Sequence, residues 1–278
     1  MLEESEIQTT IIEPPSRWVP IDWRELWHYR DLFRFLVWRD IKARYAQSVL
    51  GIGWAVIQPL FTMIVFTVVF GRLAGVPSDN VAYSIFSLTA LVPWTYFSSS
   101  VAASVGSLSR SSALLTKIYV PRLVLPLAPV ASKLVDFGIS LLILVPMLFW
   151  YRKVPTLDAL FLPLLVLMMI LAASGFGMWL SAIAVQYRDV NYAMSFAMQL
   201  FMYAAPVVYP ASAIPTEYRI LYGLNPMAGV IEGFRSALLG TQPMPWDLIL
   251  PGAAVTVVIF VSGAYYFRRT ERVFADVV

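Results

Sequence analysis

Between residues 45 and 71 no side chain is charged at neutral pH, and the same is true of 80–109, 159–187, 191–216 and 248–267. Each window is long enough for the roughly 20-residue apolar helix that a hydrocarbon core of about 30 Å requires. A backbone inside hydrocarbon must satisfy its own N–H and C=O groups, so such windows fold as helices. A further segment, 127–150, is apolar apart from Lys133 and Asp136. The chain is therefore expected to be an all-α integral membrane protein with six transmembrane helices, at about 51–73, 82–106, 127–150, 159–185, 191–209 and 248–267.

Composition agrees. With 59% hydrophobic residues, 13% charged residues and a mean hydropathy of +0.71, the 278-residue chain is too apolar for a soluble domain. The net charge of +3 does not point to nucleic acid, because the basic residues sit beside the apolar windows and form no reading face. They report topology. Placing residues before the first span, the 110–133 region, Arg188 and the 268–272 cluster on one side puts 15 of the 20 Lys and Arg there. By the positive-inside rule that side is cytoplasmic, as are both termini. The chain has no cysteine, which removes disulfides and thiolate chemistry. Residues 1–21 carry Glu3, Glu4, Glu6, Glu13 and the pair Pro14-Pro15 without an apolar core, and are expected to be a mobile cytosolic tail preceding a membrane domain over 22–278.

Two stretches outside the spans are not ordinary loops. Asp22-x-x-Glu25 fits a helix-capping arrangement, and Trp23, Trp27, Phe33 and Trp38 follow among arginines, the mark of an N-terminal interfacial amphipathic helix. Arg30 and Arg34 interrupt its apolar stripe, so two short helices broken near Asp31 are expected. Between 206 and 246 the chain is apolar and aromatic, yet Pro206, Pro210, Pro215, Gly223, Pro226, Gly229, Gly233 and Gly240 argue against one long helix. Short re-entrant helices between the last two spans answer both features. Within them Glu232 and Arg235 are spaced to pair on one face, as are Lys133 and Asp136 in the third span. Both pairs are read as structural.

No phosphate-binding G-x-x-x-x-G-K-[ST] loop occurs, so any ATP-driven action needs a separate ATPase subunit. His28 is the one histidine, and the spans hold a single carboxylate, Asp136; neither a catalytic nor a metal centre is expected. Tyr192, Phe196, Gln199 and Tyr203 recur at helical spacing in the fifth span. Such a stripe fits sugar C–H faces and hydroxyls as well as it fits helix packing.

The order of residues is more specific than the charge. Arg39-x-Ile41-Lys42-x-Arg44-Tyr45, then Ser48, Leu50-Gly51, Trp54 and Pro59-Leu60, is followed by YVPRLVLPL at 119–127, QYRDV at 186–190, PVVYP at 206–210 and LNPMAGVIEGFR at 224–235. This ordered set resembles the membrane subunits of type-2 ABC exporters of lipid-linked polysaccharide, from about residue 25 onward. The resemblance implies a permease of the bacterial inner membrane, with O antigen, capsule or teichoic acid as the substrate class. It implies a homodimer served by two copies of an ATPase that uses ATP and Mg, with no cofactor bound by this chain. Residue by residue, it implies a substrate entrance at Leu50 and Gly51 beside Arg44 and Tyr45. A channel would be lined by Trp54, Tyr192, Phe196, Gln199 and Tyr203. A coupling helix at about 111–118, with Ser111, Leu114, Leu115 and Lys117, would dock into the ATPase. An exporter of drugs or small lipids, a membrane-embedded glycosyl or acyl transferase using Asp189, and a passive channel are the competing readings.

Overall fold

The computed structural model describes residues 23–46, 51–111, 114, 120–187 and 189–271, and every regular element among them is helical. The tail 1–21, Leu50, Leu115, Lys117 and most of the expected coupling helix lie outside the described residues.

The N-terminal segment forms two helices, α1 (Trp23–His28) and α2 (Arg30–Tyr45), interrupted at Tyr29. The break thus falls two residues before Asp31, where Arg30 begins the second helix. Leu36 is the buried anchor of α2 and joins a cluster with Leu108, Val124, Leu125 and Phe267. Trp27 and Trp38 stay exposed with Arg30 and Lys42 over their rings, at 5.5 and 4.8 Å from the centroids. An aromatic body with a cationic cover suits a membrane–water boundary.

Among the described residues four stretches are long and apolar enough to cross a membrane: Gly53–Leu73, Val124–Trp150, Leu157–Gln186 and Trp246–Thr270. The first consists of α3 (Gly53–Phe66) running into a π-helical segment, Thr67–Leu73. The others contain α6 (Val124–Trp150), α7 (Leu162–Gln186, led by the 3-10 turn Leu157–Phe161) and α11 (Trp246–Thr270). The two remaining expected spans differ in instructive ways. Helix α4 (Tyr83–Val105) has 23 residues, about 35 Å at 1.5 Å per residue, but Ser87, Thr89, Ser100 and Ser104 lower its hydropathy. Those hydroxyls are buried because α4 is the hub of the bundle, packed by α3, α6, α7 and the helices Asp189–Ala204 (α8) and Pro226–Leu239 (α10). Thr89 donates to the Ile85 carbonyl, and Ser104 to that of Pro126 at 2.7 Å. Helix α8 (Asp189–Ala204) has only 16 residues and ends before Pro206, short of the 191–209 span expected.

Between α8 and α11 lie two 3-10 turns (Ala211–Ala213, Thr216–Tyr218), α9 (Arg219–Gly223) and α10 (Pro226–Leu239). Asn225 caps α10 by accepting from the Met227 N–H, Pro226 occupies its first turn, and Gly240 closes it at φ +62°. All 14 residues of α10 are buried, which corrects the sequence expectation that Gly229 and Gly233 act as breakers. They are contact points instead. A Cβ on Gly229 would come within 2.8 Å of the Ile249 backbone, and one on Gly233 within 2.6 Å of the Leu165 side chain. Arg235 is wholly buried over the Phe86 ring, 2.7 Å from Glu232, and donates to the carbonyls of Val207 and Tyr209. Glu232 also accepts from the Ala211 N–H at 3.0 Å. The pair that shares one helical face therefore pins the 206–211 segment against α4 and α10.

Candidate functional site

The last turn of α2 carries Arg44 and Tyr45 onto the flank of α6. There Lys133 and Asp136, one helical turn apart, project from the same face. Arg44 donates to Asp136 Oδ2 at 2.7 Å and to the Ser132 hydroxyl at 3.3 Å, while Lys133 Nζ reaches the same Oδ2 at 3.1 Å. The Tyr45 hydroxyl donates to Asp136 Oδ1. One carboxylate thus serves two cations and a phenol, and the ionic groups retain only 18–26% side-chain exposure. Partial burial, reinforced by the hydrogen bond to Asp136 and its negative charge, pushes the Tyr45 hydroxyl up to about 12, so it remains a donor throughout the physiological range.

This cluster walls a cavity of about 340 Å³ between α2, α3, α4 and α6. Gly51, Trp54 and Gln58 line it from the side of α3, and Thr95, Tyr96 and Ser99 from α4. Its wall mixes polar groups with the rings of Tyr45, Trp54, Tyr96 and Phe137, and among the described residues it sets Arg44 and Lys133 against Asp136 alone. A second cavity of about 620 Å³ lies between α2, α6 and the short helix α5 (Ser107–Arg110), and shares Arg44 and Lys133 with the first.

The structure brings three of the expected entrance residues, Arg44, Tyr45 and Gly51, to one cavity with Trp54, which was expected to line the channel. Gly51 has φ +48° with no atom of the described residues close to where a Cβ would sit, so its positive φ is the feature that suits glycine. Tyr192, Phe196, Gln199 and Tyr203 do share an exposed face of α8, but none belongs to the wall around Trp54. Ser111 is buried on the wall of the second cavity, and Leu114 packs against the Leu36–Phe267 cluster. Sequence reasoning missed Gln58, Tyr96 and the use of Asp136 by Arg44 and Tyr45. The nearest signal was an intramembrane carboxylate with only one nearby cation in its own helix. Among the described residues no group of three or more His, Asp or Glu side chains is placed to hold a metal ion.

Comparison with known proteins decides the family. Residues 31–239 match the family described as ABC-2 type transporter, three-quarters of the chain. The chain belongs to the ABC-2 type transporter family. It is 31% identical over 255 residues to the O-antigen export system permease protein RfbA of Myxococcus xanthus, covering 91% of this chain and 97% of that relative. An O-antigen export system permease protein RfbA of Klebsiella pneumoniae is 28% identical over 251 residues, covering 89% and 95%. The polysialic acid transport protein KpsM of Escherichia coli is 22% identical over 239 residues, covering 84% and 91%. The cavity-lining segments of α2, α3, α4 and α6 fall inside the matched region.

Proposed function

We propose that this chain is the permease subunit of an ATP-driven exporter that moves lipid-linked polysaccharide, such as O antigen, capsule or teichoic acid, across the bacterial cytoplasmic membrane. The observation that carries the reading is near full-length similarity to permeases whose names specify O-antigen export. The chain acts without covalent chemistry. Two copies form the path between them, each served by an ATPase subunit that binds ATP and Mg, and both termini face the cytoplasm. Six helices cross the membrane, with α4 and α8 completing the set. Helices α9 and α10 dip into its outer half, supported by the burial of α10 and by the Glu232–Arg235 clamp on the 206–211 segment. The lipid carrier enters beside Leu50 and Gly51, near Arg44 and Tyr45. The glycan follows Trp54 and the α8 face of Tyr192, Phe196, Gln199 and Tyr203. That face leaves Tyr192 80% and Phe196 64% exposed, as a path-lining or inter-subunit surface must be in one isolated copy. The 111–118 segment, with Ser111, Leu114, Leu115 and Lys117, transmits the ATPase's motion, and nucleotide binding shifts the permease between closed and open arrangements.

The test is deletion of the gene in a cell that displays such a polymer. Surface polymer should disappear and lipid-linked polymer should accumulate inside. The wild-type gene should restore export with an intact partner ATPase and not with one unable to hydrolyse ATP. Undiminished surface polymer in the deletion strain would refute the assignment.

A further inference from the structure

On the proposed topology the outer side of the protein carries five basic residues, Arg72, Arg152, Lys153, Arg219 and Arg235. Arg219 meets Asp247 at 2.7 Å, and Arg235 meets Glu232 at 2.7 Å. The adjacent pair Arg152-Lys153 has no carboxylate partner among the described residues; Asp158, the nearest acid in sequence, accepts instead from the Ser236 hydroxyl at 3.1 Å. The pair closes α6. The Lys153 N–H donates to the Leu148 carbonyl at 2.9 Å and the Arg152 N–H to that of Phe149 at 3.1 Å, with Arg152 at φ +50°. Glycine is the usual residue at such a left-handed closure, because an L side chain is strained there. Here arginine holds the position, and the closure fixes two neighbouring cations at the helix end. The side chains around them are apolar. Trp150 is exposed beside the pair, Leu142, Val145 and Phe149 run along one face of α6, and Leu157, Leu160 and Leu164 repeat that spacing after the turn, all six exposed. From Leu142 to the end of α6 is about 12 Å, most of the depth of one leaflet in a hydrocarbon core of about 30 Å.

We infer that Trp150, Arg152 and Lys153 form a site for an anionic phospholipid of the outer leaflet, its phosphate on the two cations and its acyl chains along the apolar stripes on either side of the turn. Charge decides the headgroup. A zwitterionic lipid would set its own ammonium beside Arg152 and Lys153, whereas a net negative one balances them and accepts charge-assisted hydrogen bonds. A soluble acidic partner would balance the charge and leave the stripes uncovered. The turn is also tied to the buried helix α10: the Thr156 N–H donates to the Ala237 carbonyl at 2.9 Å and its hydroxyl to that of Ser236 at 3.2 Å. A lipid held at the turn therefore steadies the end of α10, and its occupancy stabilises the bundle. The inference takes only the leaflet from the proposed topology. It is tested without ATPase or export, so the two can fail separately.

The experiment follows native mass spectra and melting temperature of the purified full chain in detergent as dioleoyl phosphatidylglycerol, dioleoyl phosphatidylcholine or inorganic phosphate is added. Phosphatidylglycerol should remain bound and raise the melting temperature, phosphatidylcholine should bind about tenfold more weakly, and inorganic phosphate should have no effect. Lys153→Gln should weaken phosphatidylglycerol about tenfold, the loss expected for one charge-assisted contact. Arg152→Gly should do the same while melting no lower than wild type without lipid, since glycine suits the positive φ. Arg72→Gln, which removes an exposed cation elsewhere on the outer side, should keep full binding. Equal affinity for the two lipids, an equal effect of inorganic phosphate, or unaltered phosphatidylglycerol binding when Arg152→Gly and Lys153→Gln are combined would overturn the site. So would equal weakening by Arg72→Gln, or weakening by Arg152→Gly only together with a lower lipid-free melting temperature, the result expected of a purely architectural turn.

Discussion

Asp136 is the residue on which the N-terminal region hangs. Its carboxylate accepts from Arg44, Tyr45 and Lys133, so it joins α2 to α6 with bonds that an uncharged acceptor would make more weakly. The contribution of Tyr45 has a definite pH signature. Its folded-state hydroxyl titrates at about 12, above its ordinary value of 10.0, because burial and Asp136 both disfavour the phenolate. A raised folded value means that stabilisation is fully present below pH 10 and is lost as pH climbs from 10 towards 12. Tyr45→Phe should therefore lower stability by about 1 kcal/mol, the usual net worth of a hydrogen bond, and by the same amount at pH 7 and pH 9. Between pH 10 and 12 the gap between wild type and variant should close. Thermal unfolding of both proteins in detergent across that range measures it, and a gap that widens with alkalinity would contradict the assigned donor role.

Helices in this bundle meet through small residues, and the contact of α7 with α11 shows why. A Cβ on Gly175 would lie 2.8 Å from the Phe260 backbone, and one on Gly263 2.7 Å from the Gly175 carbonyl oxygen, so the two backbones touch. Beside them Trp179 stacks on Tyr266 at 4.2 Å between centroids and donates to Ser262, fixing the rotation of one helix on the other. Close backbone approach is how apolar helices gain packing energy where no hydrophobic effect separates them from lipid. Gly175→Ala should then cost about 1–3 kcal/mol, since backbone rather than a flexible side chain must yield. Gly138 in α6 is the control, with nothing among the described residues within 4 Å of its missing Cβ. Gly138→Ala should leave stability unchanged or raise it by about 0.5–1 kcal/mol through helix propensity. Melting temperatures of the two purified variants separate these outcomes, and equal effects would refute the backbone contact. The apolar windows made the long helices legible before any coordinates, because hydrocarbon demands them. What hydropathy hides is the difference between Gly229 as a breaker and Gly229 as a contact, which depends on the neighbouring helix and not on the local chain.

At the scale of the whole molecule, the Lys133–Asp136 pair was legible from its spacing, whereas its meeting with Arg44 was not, since 92 residues separate Arg44 from Asp136. Only the packing of α2 along α6 brings them together. That packing ties the interfacial helices to the end of α6 that is rich in charge, while Arg152 and Lys153 follow its other end. On the proposed six-span topology 15 basic residues fall on one side and five on the other, and the positive-inside rule then predicts that α2 lies in the cytoplasm. The absence of cysteine makes the orientation directly measurable. Ser111 is buried and would label poorly from either side, so Ala46, exposed at the end of α2, and Val154, 80% exposed after α6, are the better positions. In intact spheroplasts an impermeant thiol reagent should label Val154→Cys and spare Ala46→Cys, and permeabilisation should expose the second. Labelling of Ala46→Cys but not Val154→Cys in sealed cells would invert the topology, and with it the cytoplasmic position of the Arg44 cavity.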